Sequence, residues 1–159
     1  MLETAGGREE AVRAFRLEDH LFFYFSQILA RRTRAINTRL RPFGVDYARW
    51  RVLAVLHEHS GATMGRLADL TSADRTTLTR TLGLMEAEGL VARLERKTDR
   101  RSLAISLTAK GRRMFARVLP LTLAETDRAL TGFSPEEIGS LRDRLRRMAG
   151  NLRAPQIDV

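Results

Sequence analysis

The chain has 159 residues, 43% hydrophobic and 30% charged, enough apolar material for one folded domain and too much for a disordered chain. Its formal net charge is +9 and its pI about 11.3, and of 28 basic residues all but Lys97 and Lys110 are arginine. That balance favours a polyanionic partner such as nucleic acid, although an arginine-rich genome would raise the count as well, and the absence of cysteine excludes disulfides, thiolate metal sites and thiol catalysis.

Residues 1–14 contain Gly6-Gly7 and mixed charge without a clean period and read as a mobile arm. From Leu17 to Leu40 the apolar positions 17, 21, 24/25, 28, 36 and 40 recur near the helical period, and Pro42 and Gly44 stop the helix. Its first half, with Phe22, Phe23, Tyr24 and Phe25, is apolar on more than one side and so needs more than one packing partner.

Asp46 is placed to cap a second helix through His57, with Trp50, Leu53 and Ala54 facing inward and Gly61 closing it. Thr63 can cap the short helix MGRLADLT, whose Leu67 and Leu70 point to a core. After the tight link at Ser72-Ala73 a fourth helix runs from Asp74 to Glu88, with Gly89 where a left-handed residue is wanted. VARLER and SLAISL, joined by KTDR, alternate as a β-hairpin. Thr108 or its neighbour caps a fifth helix to about Leu130, kinked or crowded at Pro120. Ser134-Pro135-Glu136-Glu137 then starts a sixth, to Ala149, with a capping box and proline in the first turn.

No metal site and no catalytic group emerge. His57 and His59 lie two apart and point in different directions on a helix, and no paired acid/base cluster, nucleotide loop or activated nucleophile is visible, so neither a cofactor nor an enzymatic activity is expected. The longest apolar run, Leu21 to Phe25, is too short for a bilayer, and the acidic start Glu3, Glu9, Glu10 does not resemble an export signal; no membrane contact and a cytoplasmic location are expected.

A short helix, a brief turn, an amphipathic helix and a hairpin are the plan of a winged helix-turn-helix. With Leu78, Leu82 and Met85 inward, Thr76, Arg80 and Gly83 turn outward, with Thr77 and Thr79 flanking. Threonine and arginine can read base edges, a bare glycine lets the backbone come close, and Ser72 and Arg75 at the helix start suit phosphate. A solvated polar face is the plainer alternative. Against it stands the low helix propensity of Thr76, Thr77, Thr79 and Thr81, which stability alone does not favour.

From Asp46 to Gly111 the sequence resembles the MarR (multiple antibiotic resistance regulator) family of winged-helix transcription factors. The resemblance is carried by YARWRVLAVL, by GRLADLTSADRTTLTRTLGLMEAEGLVAR, by Asp99 and Arg101 two apart in KTDRRSLAISLT, and by the Ala-Lys-Gly that follows. It implies a mainly α fold with a small β-hairpin wing, a winged core at 45–111 flanked by dimerisation helices at 15–44 and 112–153. It further implies that Asp99 orients the wing turn while Arg101 enters the minor groove, with Arg100 and Lys97 as phosphate contacts.

The same resemblance implies a homodimer on a palindromic operator, in a bacterial or archaeal cell and nucleoid-associated when bound, acting as a repressor. Leu121, Leu123, Leu130, Phe133, Ile138, Leu141, Leu145 and Met148 offer more apolar surface than a small winged domain can bury. In the family a small anionic ligand, often aromatic or phenolic, binds between the dimerisation helices and the winged domain. His20, Phe23, Tyr24, Arg49 and Trp50 are the candidates for that cleft, with core packing as the alternative for each aromatic, and an aromatic acid or its coenzyme A thioester as the ligand. A winged helix acting through protein contact, and a DNA-binding regulator that needs no ligand, are the other readings.

Overall fold

Polar residues at the right points divide this chain into helices. In a computed structural model, residues 12–96 and 99–152 are described, with side chains throughout except at 94–102. The first long helix, α1, spans Leu21–Leu40; a 3-10 turn at Leu17–Asp19 precedes it, because His20 sits in an extended conformation (φ −89°, ψ 120°) and interrupts the period expected from Leu17. A second 3-10 turn, Arg41–Phe43, ends at Gly44, whose φ of 68° reverses the chain.

Asp46 then caps α2 (Tyr47–Glu58) by accepting the Arg49 N–H at 2.8 Å. Thr63 caps α3 (Met64–Thr71) through the Arg66 N–H at 3.2 Å, and Asp74 caps α4 (Arg75–Ala87) through the Thr77 N–H at 2.8 Å. Each cap satisfies an N–H that the first helical turn leaves without a partner.

Gly89, with φ 68°, turns the chain from α4 into β1 (Val91–Arg96), which pairs antiparallel with β2 (Asp99–Leu107). The register runs from Val91↔Leu107 to Glu95↔Leu103 and then jumps to Arg96↔Asp99, so residues 100–102 fall in an irregularity. The return strand therefore begins three residues earlier than its apolar alternation suggests. An isolated bridge between Ala62 and Ile105, with Gly61 N–H to Ile105 O at 3.0 Å and Ile105 N–H to Ala62 O at 3.0 Å, ties the base of the hairpin to the segment before α3.

Helix α5 (Ala109–Ala129) continues through Pro120, and α6 (Pro135–Asn151) opens on the expected capping box. There Ser134 N–H donates to Glu137 Oε2 at 2.7 Å and Glu137 N–H to Ser134 Oγ at 3.3 Å.

The chain forms two compact units divided between Thr122 and Leu123, within α5. The core of the first gathers Ile36 and Leu40 of α1, Val52, Leu53 and Leu56 of α2, Leu67 of α3, Leu78, Leu82 and Met85 of α4, Ile105 of β2 and Val118 of α5, all at most 2% exposed. The ends of the flanking helices are thus built into the same core as the helix-turn-helix. In the second unit Leu123, Phe133, Leu141 and Leu145 are exposed, and Leu130, Ile138 and Met148 are half-buried; Leu121, in the first unit, packs against the core.

Candidate nucleic-acid interface

Helix α4 sorts its residues by face. Leu78, Thr81, Leu82 and Met85 are buried, while Arg75, Thr76, Thr77, Thr79, Arg80 and Gly83 are exposed, and Ser72 is exposed in the turn that leads in. The five residues of α4 expected to meet DNA, and Ser72 before it, are therefore all solvent-exposed, with Ser72 and Thr77 also bordering the cavity behind the helix. Ser72 has φ 49° and ψ 31°, the left-handed region, where it is the one non-glycine with positive φ among the described residues. This sharp turn lets α4 leave α3 at an angle instead of continuing it.

The threonines of α4 do different things. The Thr77 backbone N–H and, beside it, its hydroxyl hold the Asp74 carboxylate below the ordinary range of an aspartate. Thr79 Oγ1 donates to the Arg75 carbonyl at 2.7 Å, and Thr81, buried, donates to the Thr77 carbonyl at 2.9 Å. Part of the low-propensity run thus has an internal explanation, since these hydroxyls bond within the helix and Thr81 belongs to the core. The threonine pattern alone does not say where each hydroxyl points.

At its far end α4 is fastened from two sides. Arg49 Nη2 meets Glu88 Oε1 at 2.8 Å while Nη1 donates to the Gly44 carbonyl at 2.7 Å, and Lys110 Nζ donates to the Glu88 carbonyl at 2.7 Å. Arg93 of β1 faces Glu86 of α4, Nε to Oε2 at 3.1 Å, an ion pair too oblique for a hydrogen bond. Thr108 donates to the Gly89 carbonyl at 2.6 Å and accepts the Gly111 N–H at 3.0 Å, so the start of α5 is laid against the turn that closes α4. Gly111 is required there, because a Cβ would overlap the Leu90 carbonyl oxygen.

In the wing, Lys97 lies outside the described residues. Asp99, Arg100 and Arg101 are placed by backbone alone, in the opening of β2, where Asp99 pairs with Arg96.

The five residues expected to hold a small ligand are distributed along α1 and α2. His20 is exposed with its ring 4.6 Å from Phe15, Tyr24 is exposed, and Phe23, half-buried, stands edge-on to Tyr24 at 5.4 Å. Arg49 is engaged as above, and Trp50 lies flat on Phe115 of α5, ring centroids 5.6 Å apart and planes within 1°, with His57 on Phe115 at 4.1 Å. A separate cavity of about 120 Å³ lies behind α4, lined by Tyr47, Ala48, Arg51 and Val52 of α2, the turn at 71–73, and Thr77, Leu78 and Thr81. Tyr47 has two guanidinium groups near its ring, Arg51 at 5.8 Å and Arg32 at 6.0 Å from the ring centre, a cluster with no mark in the local sequence.

Among the described residues no group of three or more His, Asp or Glu could hold a metal, and no helix is long and apolar enough to cross a membrane.

Comparison with known proteins agrees with this geometry. The model of the MarR family matches residues 43–102. The HTH-type transcriptional repressor IacR of Pseudomonas putida is 25% identical over 138 residues, covering 87% of this chain and 83% of the relative. The HTH-type transcriptional regulator TtmR of Methylorubrum extorquens is 31% identical over 131 residues, covering 77% and 65%. A transcriptional regulator of the MarR family from Silicibacter pomeroyi superimposes with a TM-score of 0.80 at 29% identity, covering 89% of this chain and 96% of that one.

Proposed function

Because the chain belongs to the MarR family of transcriptional regulators, we propose that it binds a palindromic operator as a homodimer, represses transcription and releases DNA on binding a small aromatic or phenolic anion. It is a regulator and not an enzyme. The observation that carries the reading is the exposure of Arg75, Thr76, Thr77, Thr79 and Arg80 of α4, and of Ser72 in the turn before it, while Leu78, Leu82 and Met85 are buried. A helix so divided fits a major groove about 12 Å wide.

In this reading Ser72 and Arg75 bind phosphate, Thr76, Thr77, Thr79 and Arg80 face base edges, and the wing places Arg101 in the minor groove with Asp99 beside it. Lys97 and Arg100 add phosphate contacts. A minor groove concentrates negative potential, which suits a guanidinium held by a carboxylate.

Dimerisation is supported by exposed apolar residues in each unit, Leu21, Phe22, Ile28 and Leu29 of α1 in the first, and Leu123, Phe133, Leu141 and Leu145 in the second. Two half-sites about 34 Å apart require such a pairing. For the effector, an aromatic acid or its coenzyme A thioester, the reading rests on His20, Phe23, Tyr24, Arg49 and Trp50. The internal partners of Arg49 and Trp50 mean that a ligand there would have to displace or share them. The protein is cytoplasmic in this reading.

Selection of fragments from the source genome by the purified protein tests it. The expected result is a palindrome, bound with a steep fall in affinity as salt rises and weakened by Arg80→Ala and by Arg101→Ala. Equal affinity for selected and random duplex would instead favour a winged helix used for protein contact. An operator affinity that no aromatic acid or thioester alters would favour a ligand-independent regulator.

A further inference from the structure

We infer that Thr79 and Gly83 form a methyl-sized notch on the outward side of α4 that receives the C5-methyl group of a thymine; the inference rests on α4 being the DNA-reading helix.

The first observation is the fate of the Thr79 hydroxyl. Its single proton is donated to the Arg75 carbonyl at 2.7 Å, so the exposed side chain offers a groove its methyl group and oxygen lone pairs, but no donor. The buried Thr81 hydroxyl is likewise held on the Thr77 carbonyl. Thr79 is thus the exposed threonine of α4 whose hydroxyl is bonded back into its own helix.

The second observation is Gly83, four residues on and therefore beside Thr79 on the helix surface. It is exposed in the interior of α4, its φ is outside the left-handed region, and an added Cβ would meet nothing within 4 Å. Neither the backbone nor the packing of this chain requires glycine, although glycine destabilises a helix interior relative to alanine. Gly139 and Gly150 of α6 share that freedom but lie outside α4, so position as well as open space sets Gly83 apart. Omitting a Cβ next to the exposed Thr79 side chain leaves a depression the size of one methyl, walled by Thr79 on one side and by bare backbone on the other. The thymine C5-methyl is the apolar group that base pairs present in the major groove, and threonine methyls are among its usual contacts.

The test uses the full-length protein and a duplex it enriches from random DNA, with each thymine replaced in turn by deoxyuridine, which lacks only that methyl. Replacing the contacted thymine in one half-site should weaken binding roughly three- to fivefold, the partition of one buried methyl group. Thr79→Ser and Gly83→Ala should each weaken binding to the thymine duplex and make it insensitive to that replacement. Thr79→Val, which keeps a methyl wall and discards the hydroxyl, should retain the sensitivity. Gly83→Ala should also raise the melting temperature, which separates lost recognition from lost fold.

Two results overturn the notch: no thymine replacement changes affinity, or Thr79→Val loses the sensitivity while Thr79→Ser keeps it, which would make the hydroxyl the reader. Failure to enrich any sequence overturns the reading of α4 itself.

Discussion

Arg49 of α2 and Glu88, which closes α4, form an ion pair at 2.8 Å, and the same guanidinium donates to the Gly44 carbonyl at 2.7 Å. One cation thereby joins the end of α4 to the turn after α1. Arg49 is largely buried and Glu88 half-exposed, so removing the cation should matter more than removing the anion. Arg49→Ala is expected to cost about 1–2 kcal/mol in urea unfolding, and Glu88→Gln about 0–1 kcal/mol. An Arg49→Ala protein of unchanged stability that has lost a ligand response would make Arg49 an effector contact instead of a clamp.

Asp74 gives the fold an acid-sensitive point. The Thr77 backbone N–H, and then its hydroxyl, stabilise the carboxylate and lower its pKa below the ordinary 3.8. A depressed folded pKa contributes stability that is complete above the unfolded value and lost as pH falls through the folded one. Asp74→Asn keeps an N-cap acceptor but removes the titration. The melting-temperature advantage of the native protein over Asp74→Asn should therefore shrink on acidification below about pH 4. An advantage equal at pH 6 and at pH 3 would mean that charge plays no part in this cap.

Ser72 occupies a left-handed conformation that costs a non-glycine residue about 1–2 kcal/mol. Ser72→Gly relieves that strain but enlarges the unfolded ensemble, for a net gain of roughly 0.5 kcal/mol. Ser72→Val should lose stability, since a β-branched residue tolerates this region poorly. Chemical denaturation of the three proteins should rank Gly, Ser, Val. A valine protein as stable as the native one would show that the turn relaxes out of the left-handed region.

Gly111 should tolerate nothing larger. A Cβ there meets backbone, the Leu90 carbonyl, instead of a side chain that could move aside, so Gly111→Ala is expected to lose roughly 2–3 kcal/mol despite the better helix propensity of alanine. Gly150→Ala, where a Cβ meets open space, is the control and should be neutral or stabilising in the same melting experiment.

Much of this architecture could be read from the chain because its punctuation is local. Asp46, Thr63, Asp74 and Ser134 each cap the helix that follows with their own side chains, and Gly44, Gly61 and Gly89 have the positive φ their positions suggested. The outward set on α4 followed from the helical period and the buried leucines. Features that depend on distant partners were not legible. The Arg49–Glu88 pair spans 39 residues, and nothing near Arg49 distinguishes a clamp from a ligand contact. Ser72 carries no signal of left-handed backbone, since that conformation is imposed by how α3 and α4 must diverge. The early start of β2 is a matter of hydrogen-bond register, which alternation of apolar residues cannot reveal.

The chain contains a single tryptophan, and Trp50 lies flat against Phe115, with His57 on the same ring. The protein thus carries a built-in optical gauge at the seam between its second and fifth helices. Any event that slides Phe115 by even part of a ring width alters the surroundings of the one indole, so emission near its maximum reports that seam alone, without an added label.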